Sequence, residues 1–186
     1  MEKKDKFFSF LIINTSIVIL FLFFTASLQA DDEATQQLVL KVSEICILNI
    51  SGNPGNLEVN STSSPGIEPD SVKDNTSFIH YTSTVSPGGI RDLTARWDPD
   101  SSAPSGCSFL LKAITSGRSN EGISKGEIIL SYTPQTIVSA IGSCITGFKS
   151  GTGTQLEYTL SVQDITQLKA GESKSVSVVF TLTDII

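Results

Sequence analysis

Short segments in which apolar and polar residues alternate are the feature that most limits what this chain can fold into. Near the C-terminus Val176, Val178, Phe180 and Leu182 are separated by Ser, Val and Thr, and residues 156–162 alternate in a similar way. A period of two places successive side chains on opposite faces of a β-strand. Both segments are therefore predicted to be half-buried strands, and we predict that they form an antiparallel pair joined by residues 164–173.

Similar segments recur along the chain and are separated by turns that contain Gly and Pro. Further strands are predicted at residues 38–42, 45–50, 57–60, 78–84, 93–97, 108–114, 127–132 and 136–141. Many short strands with regular turn signals are typical of a β-sandwich. We therefore predict an all-β fold, a single antiparallel β-sandwich of the immunoglobulin-like or pilin-like type with about 8–10 strands. Residues 61–76, rich in Ser, Pro and Asp, are predicted to be an irregular surface loop.

The first thirty residues have the three regions of a secretory signal peptide. A start rich in Lys is followed by an apolar stretch at residues 7–24 and by small residues that end at Ala30. We predict a signal helix that is cleaved after Ala30, with Ala26 as the second choice. An uncleaved transmembrane anchor is the alternative, but the polar residues 14–16 leave a short apolar run for a helix that must cross a bilayer.

Export defines the compartment and the expected partners of the mature chain. Residues 31–186 are enough for one domain with one core, and we expect them in the periplasm, at the cell surface or outside the cell. The formal net charge of the chain is −6, and Lys and Arg are scattered singly. We therefore predict no nucleic-acid partner, because binding to phosphates requires a clustered basic face. Membrane contact is expected only through an uncleaved signal segment.

Three cysteines in an exported chain allow at most one intrachain disulfide. Cys107 and Cys144 each follow a turn that contains Gly, where two strand ends could meet, so we predict a Cys107–Cys144 bridge. Cys46 lies in an apolar stretch and is predicted to be a free thiol. A zinc site is not predicted, because the chain has one His and no paired Cys spacing.

One catalytic motif requires a test. Residues 122–126 match the G-x-S-x-G pattern of a hydrolase nucleophile at Ser124, but that motif needs a helix after the serine, and a predicted strand follows here. His80 also precedes Ser124, whereas the hydrolase order places the histidine last. We interpret the motif as a turn and His80 as a strand residue that faces solvent or a polar neighbour. The predictions are that the chain is not an enzyme and uses no cofactor and no catalytic metal.

Trp97 is the single Trp of the chain, and it has two interpretations. On its predicted strand it shares a face with Leu93 and Ala95, which favours burial in the core. An exposed Trp at a strand end is instead a stacking platform for sugars. We favour core packing and keep the ligand platform as the alternative.

Three segments of the C-terminal half form a recognisable set: Gly-Ser-Cys-Ile-Thr-Gly at 142–147, Leu-Glu-Tyr-Thr-Leu at 156–160 and residues 176–184, which end in Phe-Thr-Leu-Thr-Asp. On these segments the chain resembles secreted bacterial β-sandwich proteins of the Bacteroidetes type and, more loosely, pilin-like surface subunits. The resemblance covers roughly residues 75–184. The resemblance implies a non-enzymatic exported domain at the cell surface or in an assembled fibre.

The start of the mature chain supplies a candidate assembly segment. Leu38, Leu40 and Val42 alternate in the way that a donated strand needs when it fills an apolar groove of a neighbouring subunit. The alternative is an ordinary first strand that pairs within its own domain, which we favour. We predict a structural or adhesive cell-surface or fimbria-like subunit whose partners are further copies or other surface subunits. The alternative function is an extracellular carbohydrate-binding module with glycan partners.

Overall fold

A computed structural model describes residues 35–149 and 151–185 of the chain. These residues form ten β-strands and one short 3₁₀ turn, Ile165–Gln167. The predicted signal helix and its cleavage site lie outside the described residues. Within the described ranges, no helix has the length and the apolar character that crossing a bilayer requires.

The strands follow one another along the chain with loops that contain the expected Gly and Pro residues. Their bounds are β1 Ile45–Ser51, β2 Val72–Thr84, β3 Arg91–Trp97, β4 Cys107–Ile114, β5 Ile123–Ser124, β6 Glu127–Ile129, β7 Gln135–Ile141, β8 Cys144–Ile145, β9 Thr154–Val162 and β10 Val178–Asp184.

The strands belong to two antiparallel sheets. The first sheet has the order β1-β2-β9-β4-β6, and β8 pairs with one end of β2. The second sheet has the order β10-β3-β7-β5. All the pairs are antiparallel, as expected for a chain in which apolar and polar residues alternate along single strands.

One apolar core is built from both sheets. The first sheet contributes Ile79, Tyr81, Leu111, Ala113, Leu156 and Tyr158, and the second contributes Leu93, Ala95, Ile137, Val138 and Ile141. Leu130, in the connection after β6, completes the cluster. Two antiparallel sheets that share a core have the arrangement of a β-sandwich, so the prediction of an all-β antiparallel fold is confirmed.

The described part of the predicted 31–186 domain falls into two parts. Residues 35–41 form a separate segment and carry no strand, and residues 42–185 contain all ten strands. The strands predicted at 38–42 and 57–60 are absent. The interpretation of 38–42 as an ordinary first strand is therefore wrong, and β1 is the first strand.

Two other predictions about the fold are also wrong. The loop predicted at 61–76 ends early because β2 begins at Val72, where polar residues hide the strand pattern and β9 supplies the partner. A cross-strand ion pair of 3.0 Å between Lys73 and Glu157 supports this part of β2. The predicted β9–β10 pair does not form, because the connection between these strands passes from the first sheet to the second.

Candidate functional site

The two sheets end in strands of very different length. On one side the last strands are β6 and β5, with three and two residues. On the other side they are β1 and β10, with seven residues each. Long edge strands attract further strands because their backbone N–H and C=O groups are unpaired, and proteins usually protect them with charges, Pro or bulges. β1, with the sequence Ile-Cys-Ile-Leu-Asn-Ile-Ser, contains none of the charged or Pro residues.

The inward face of β1 is only partly covered. Cys46, Leu48 and Ile50 lie opposite Ser83, Tyr81 and Ile79 of β2 and therefore share the face that bears the core. Leu48 packs against the core, but Ile50 remains 45% exposed although its partner Ile79 is fully buried. The core is thus open to an added apolar side chain at this edge.

The outward face of β1 is also apolar. Ile47 lies opposite Thr82 of β2, and Thr82 lies opposite Ile145 of β8, so the three side chains cross the sheet in one row. Ile47 is 61% exposed, and Ile145 is exposed as well. A strand that is added beside β1 therefore meets apolar side chains on both faces.

The inward side chains of β10, the last strand of the second sheet, complete this edge. Val178, Phe180 and Leu182 are partly buried against the core. The two edge strands meet where the Cys46 thiol lies 3.8 Å from the carbonyl oxygen of Leu182. We call β1 and the inward side chains of β10 the open edge.

A buried guanidinium joins the strands at one end of the open edge. Arg91 of β3 is 2% exposed, and its Nε donates to Asp184 of β10 at 2.6 Å. Its Nη1 donates to the carbonyl oxygen of Ile45 at 2.7 Å, to the Ser83 hydroxyl at 3.0 Å and to the carbonyl oxygen of Thr84 at 3.2 Å. Arg91 thus links the first and last strands of the fold to the strands between them.

Glu44, directly before β1, adds to the same cluster. One of its carboxylate oxygens lies 3.7 Å from Nη2 of Arg91. The other accepts hydrogen bonds from the backbone N–H of Ser86, at 3.0 Å, and from the Ser86 hydroxyl. These contacts fix the point at which the chain enters β1.

The candidate donor segment, residues 38–42, lies just before Glu44 in the sequence. Leu38, Leu40 and Val42 carry no secondary structure, and their side chains are among the most exposed apolar groups described, at 74%, 84% and 83%. Val39 is similarly exposed. The structure leaves the donor role of these residues as a prediction, since it contains no second copy.

The predicted Cys107–Cys144 bridge is contradicted. All three cysteines, including Cys46, are free thiols. Cys107 pairs with Val162 at one end of β9, whereas Cys144 pairs with Ser83 beyond the point where β2 leaves the other end of β9. At about 3.3 Å per residue along a strand the two cysteines are tens of ångströms apart, whereas a disulfide requires Cα atoms within roughly 7 Å.

The partly buried position of Cys144 changes its acidity. Burial first, and then the negative charge of Glu121, raise the pKa of the Cys144 thiol to about 11. Burial also raises the pKa of Cys107. Both thiols are therefore protonated at neutral pH and are poor nucleophiles.

Trp97 is half-buried and packs against the core, in keeping with the favoured interpretation. Its ring meets that of Tyr132 edge to face, with centroids 5.6 Å apart and planes at 82°. Tyr132 is largely exposed, and its hydroxyl donates to the carbonyl oxygen of Ser101 at 2.9 Å. The pair thus presents one exposed aromatic ring, supported from below by Trp97.

Ser124 and His80 are each engaged in local contacts. The Ser124 hydroxyl donates to the carbonyl oxygen of Ala113 at 2.5 Å, and a strand, β6, follows it as predicted. His80 is buried and faces a polar neighbour, the second of its two predicted environments, since its Nε2 lies 2.6 Å from the Ser51 hydroxyl. Gly153 packs closely over the ring, since a Cβ at that position would lie 2.7 Å from Nδ1 of His80. The Ser51–His80 contact lacks the third group that orients a catalytic histidine, because Nδ1 of His80 has no hydrogen-bond partner among the described residues, and the Ser124 hydroxyl contacts a carbonyl oxygen rather than a base.

Arg91 and the open edge are not among the residues predicted from the sequence, although the sequence contains a signal for Arg91. The alternation that places Leu93 and Ala95 on the inward face of β3 places Arg91 there too, and a charged residue on an inward face needs partners. The partners Asp184 and Ser83 are distant in sequence, so they could not be found from the pattern. Comparison with protein families, known proteins and solved structures finds no match for this chain.

Proposed function

We propose that the chain is a non-enzymatic, exported structural or adhesive subunit of the cell surface or of a fimbria-like assembly, built on an immunoglobulin-like or pilin-like sandwich. The observation that carries the proposal is the open edge: a long edge strand, β1, without charge or Pro and with apolar side chains on both faces. Such an edge is a template for a strand from another chain.

The contrast between the edges of the first sheet supports this proposal. β6 offers three residues and includes Glu127, whereas β1 offers seven residues and no charge. A strand added to β1 can form a full ladder of backbone hydrogen bonds and cover Ile50 on the inward face and Ile47 on the outward face. The exposed segment 38–42 of a second copy has the apolar alternation for this role.

Sedimentation velocity of residues 31–186 over a range of concentrations tests the proposal. We expect self-association that is reduced by Ile47→Lys, because a Lys on the exposed face of an edge strand opposes strand addition. Ile129→Lys is the matched control, since Ile129 lies on the β6 edge and is exposed to a similar extent, 56% against 61%. Urea unfolding of each variant verifies that the fold is retained.

Deletion of residues 31–42 tests the donor segment separately. If these residues supply the added strand, the deletion reduces self-association while the shortened chain still folds. A mature protein that remains monomeric at every concentration, and whose stability the deletion leaves unchanged, would overturn strand addition.

The alternative, a carbohydrate-binding module, is favoured by one observation, the exposed Tyr132 ring held against Trp97. Aromatic faces bind sugars through their apolar surface and their C–H contacts. A glycan array with the wild-type protein and Tyr132→Ala tests it, with Phe148→Ala as the control for loss of an exposed aromatic ring elsewhere. Binding that Tyr132→Ala abolishes and Phe148→Ala retains would favour the module over the structural subunit.

A further inference from the structure

An open cavity of about 560 Å³ lies at the loop between β4 and β5. Its lining includes Thr115, Arg118, Asn120, Ile123 and, from the end of β7, Ala140. The cavity is separate from Tyr132 and from the open edge, and no step of the proposed function uses it. The cavity is largely open to solvent, so a bound molecule would be only partly enclosed.

The backbone around this cavity is held in an unusual conformation. Asn120 and Ala140, with φ of 65° and 58°, are the two residues other than Gly that have positive φ among the described residues, and both line the cavity. A positive φ brings the Cβ of Ala140 close to the backbone, and its methyl side chain forms no hydrogen bond that could offset this steric cost. Hydrogen bonds from Gly142 N–H to the Asn120 carbonyl, at 3.0 Å, and from Ala140 N–H to Asp92, at 3.2 Å, maintain it. Such conformations concentrate at ligand sites.

Arg118 is the charged group of the cavity, and most of its hydrogen-bonding capacity is unused. Its Nη1 lies 3.6 Å from Oε1 of Glu121, and the side chain is mostly exposed. The Glu121 carboxylate is buried, and its other oxygen accepts a hydrogen bond from the Ser116 hydroxyl. Glu121 therefore attracts the guanidinium without a hydrogen bond to it and offsets part of its charge, while the N–H donors of Arg118 face solvent in the planar fork that matches a carboxylate.

The remaining lining groups are suited to a hydroxylated ring. Thr115 supplies a hydroxyl group, and Asn120 supplies an amide whose nitrogen donates to the Ser143 carbonyl at 3.4 Å and retains a second N–H donor beside the acceptor oxygen. Ile123 is exposed in the cavity and offers an apolar surface. One cation that the buried Glu121 carboxylate partly offsets, two neutral polar groups and one apolar contact fit a ligand with a carboxylate, hydroxyl groups and a C–H face.

We propose that this cavity binds an acidic monosaccharide, with Arg118 on its carboxylate, Thr115 and Asn120 on its hydroxyl groups, and Ile123 against its ring. The proposal is independent of strand addition and of the Tyr132 platform. Arg118→Met therefore leaves self-association unchanged, and Tyr132→Ala leaves this site intact.

Titration of ¹⁵N-labelled protein with D-glucuronate, followed by NMR, tests the proposal. We expect saturable shifts of amide signals in residues 115–124 and at Ala140, and weaker binding at high salt because the charge of Arg118 is exposed. D-glucose, which lacks the carboxylate, and acetate, which lacks the hydroxyl groups, should each bind at least about tenfold more weakly.

Two variants of equal charge change assign the site. Arg118→Met should weaken glucuronate binding at least about tenfold, and Lys169→Met, an exposed cation outside the cavity, should leave it within about twofold. The exposed position of Arg118 makes loss of the fold unexpected, and dispersion of the NMR spectrum verifies this. No saturable shift in residues 115–124, equal binding of acetate and glucuronate, or equal binding by Arg118→Met would each overturn the proposal.

Discussion

Replacement of Arg91 by Leu should be among the most destabilising substitutions at the open edge. Arg91 is 2% exposed and makes four hydrogen bonds, two of them to backbone carbonyls of Ile45 and Thr84. Leu fills most of the volume but leaves these two carbonyls and the Ser83 hydroxyl without their donor. A buried acceptor that loses its hydrogen-bond partner costs about 1–3 kcal/mol, and the lower end applies to these two carbonyls because they are only partly buried.

The carboxylates contribute less than the backbone acceptors to this cost. The side chains of Asp184 and Glu44 are 64% and 51% exposed, so water replaces the guanidinium when it is removed. The substitution also removes the free-energy cost of burying a charged side chain, which offsets part of the lost stability. We therefore expect Arg91→Leu to lower the free energy of unfolding by about 2–4 kcal/mol, and Asp184→Asn and Glu44→Gln by about 1 kcal/mol or less.

Urea unfolding followed by the fluorescence of Trp97 measures these differences directly. With a slope of about 1–3 kcal/mol per M, a loss of about 3 kcal/mol shifts the midpoint by roughly 1–3 M. The slope should be unchanged if the variants still unfold in one cooperative step. If Asp184→Asn cost as much as Arg91→Leu, the charge pair rather than the backbone hydrogen bonds would hold the edge together. A neutral effect of Arg91→Leu would refute the reasoning altogether.

Three further predictions concern other parts of the fold. Burial raises the pKa of Tyr81 and Tyr158 from 10.0 to about 12. Each therefore contributes up to about 2–3 kcal/mol of stability that is present below pH 10 and is lost between about pH 10 and 12. Urea unfolding across this range measures the loss, and stability that rises there would contradict the prediction. Cys144 has a pKa of about 11 instead of 9.0, so at neutral pH its thiol should be alkylated roughly 100-fold more slowly in the folded than in the unfolded chain. Peptide mass spectrometry follows the two rates, and equal rates would show that folding does not protect the thiol. Gly122→Ala should destabilise the fold by about 2 kcal/mol or more, because a Cβ would lie 2.6 Å from a side-chain atom of β7. Gly117→Ala, also at positive φ but in open space, should cost only about 1 kcal/mol. Equal midpoints of urea unfolding for the two variants would contradict the steric argument.

The sequence pattern predicted which side chains face the core better than it predicted which strands pair with one another. Alternation placed Leu156 and Leu160 on one face of β9, and both are buried. The same pattern could not show that β9 pairs with β2 and β4 rather than with β10, because any strand with one apolar face can occupy several places in a sandwich. The predicted Cys107–Cys144 bridge is wrong for this reason: both residues follow turns, as the sequence indicates, but the sheet places the two cysteines at opposite ends.

The candidate sites were harder to predict because they depend on contacts between distant parts of the chain. The cavity near Arg118 requires Ala140 of β7 to lie beside the loop after β4, and nothing in the local sequence indicates this. The strained φ of Ala140 is likewise invisible in the sequence, since Ala is common in strands and turns alike. Arg91 was accessible in part, because its inward position follows from the alternation around Leu93.

The distribution of charge among the strands bears directly on why the open edge exists. A single Lys in place of Ile47 would protect β1 at little cost to folding, because Ile47 is exposed and lies opposite Thr82, which tolerates a polar neighbour. Charges are present on β2, β4, β6 and β9, and the other long edge strand, β10, ends in Asp184. An edge strand that keeps apolar residues on both faces and carries no charge has the features that the proposed strand addition requires.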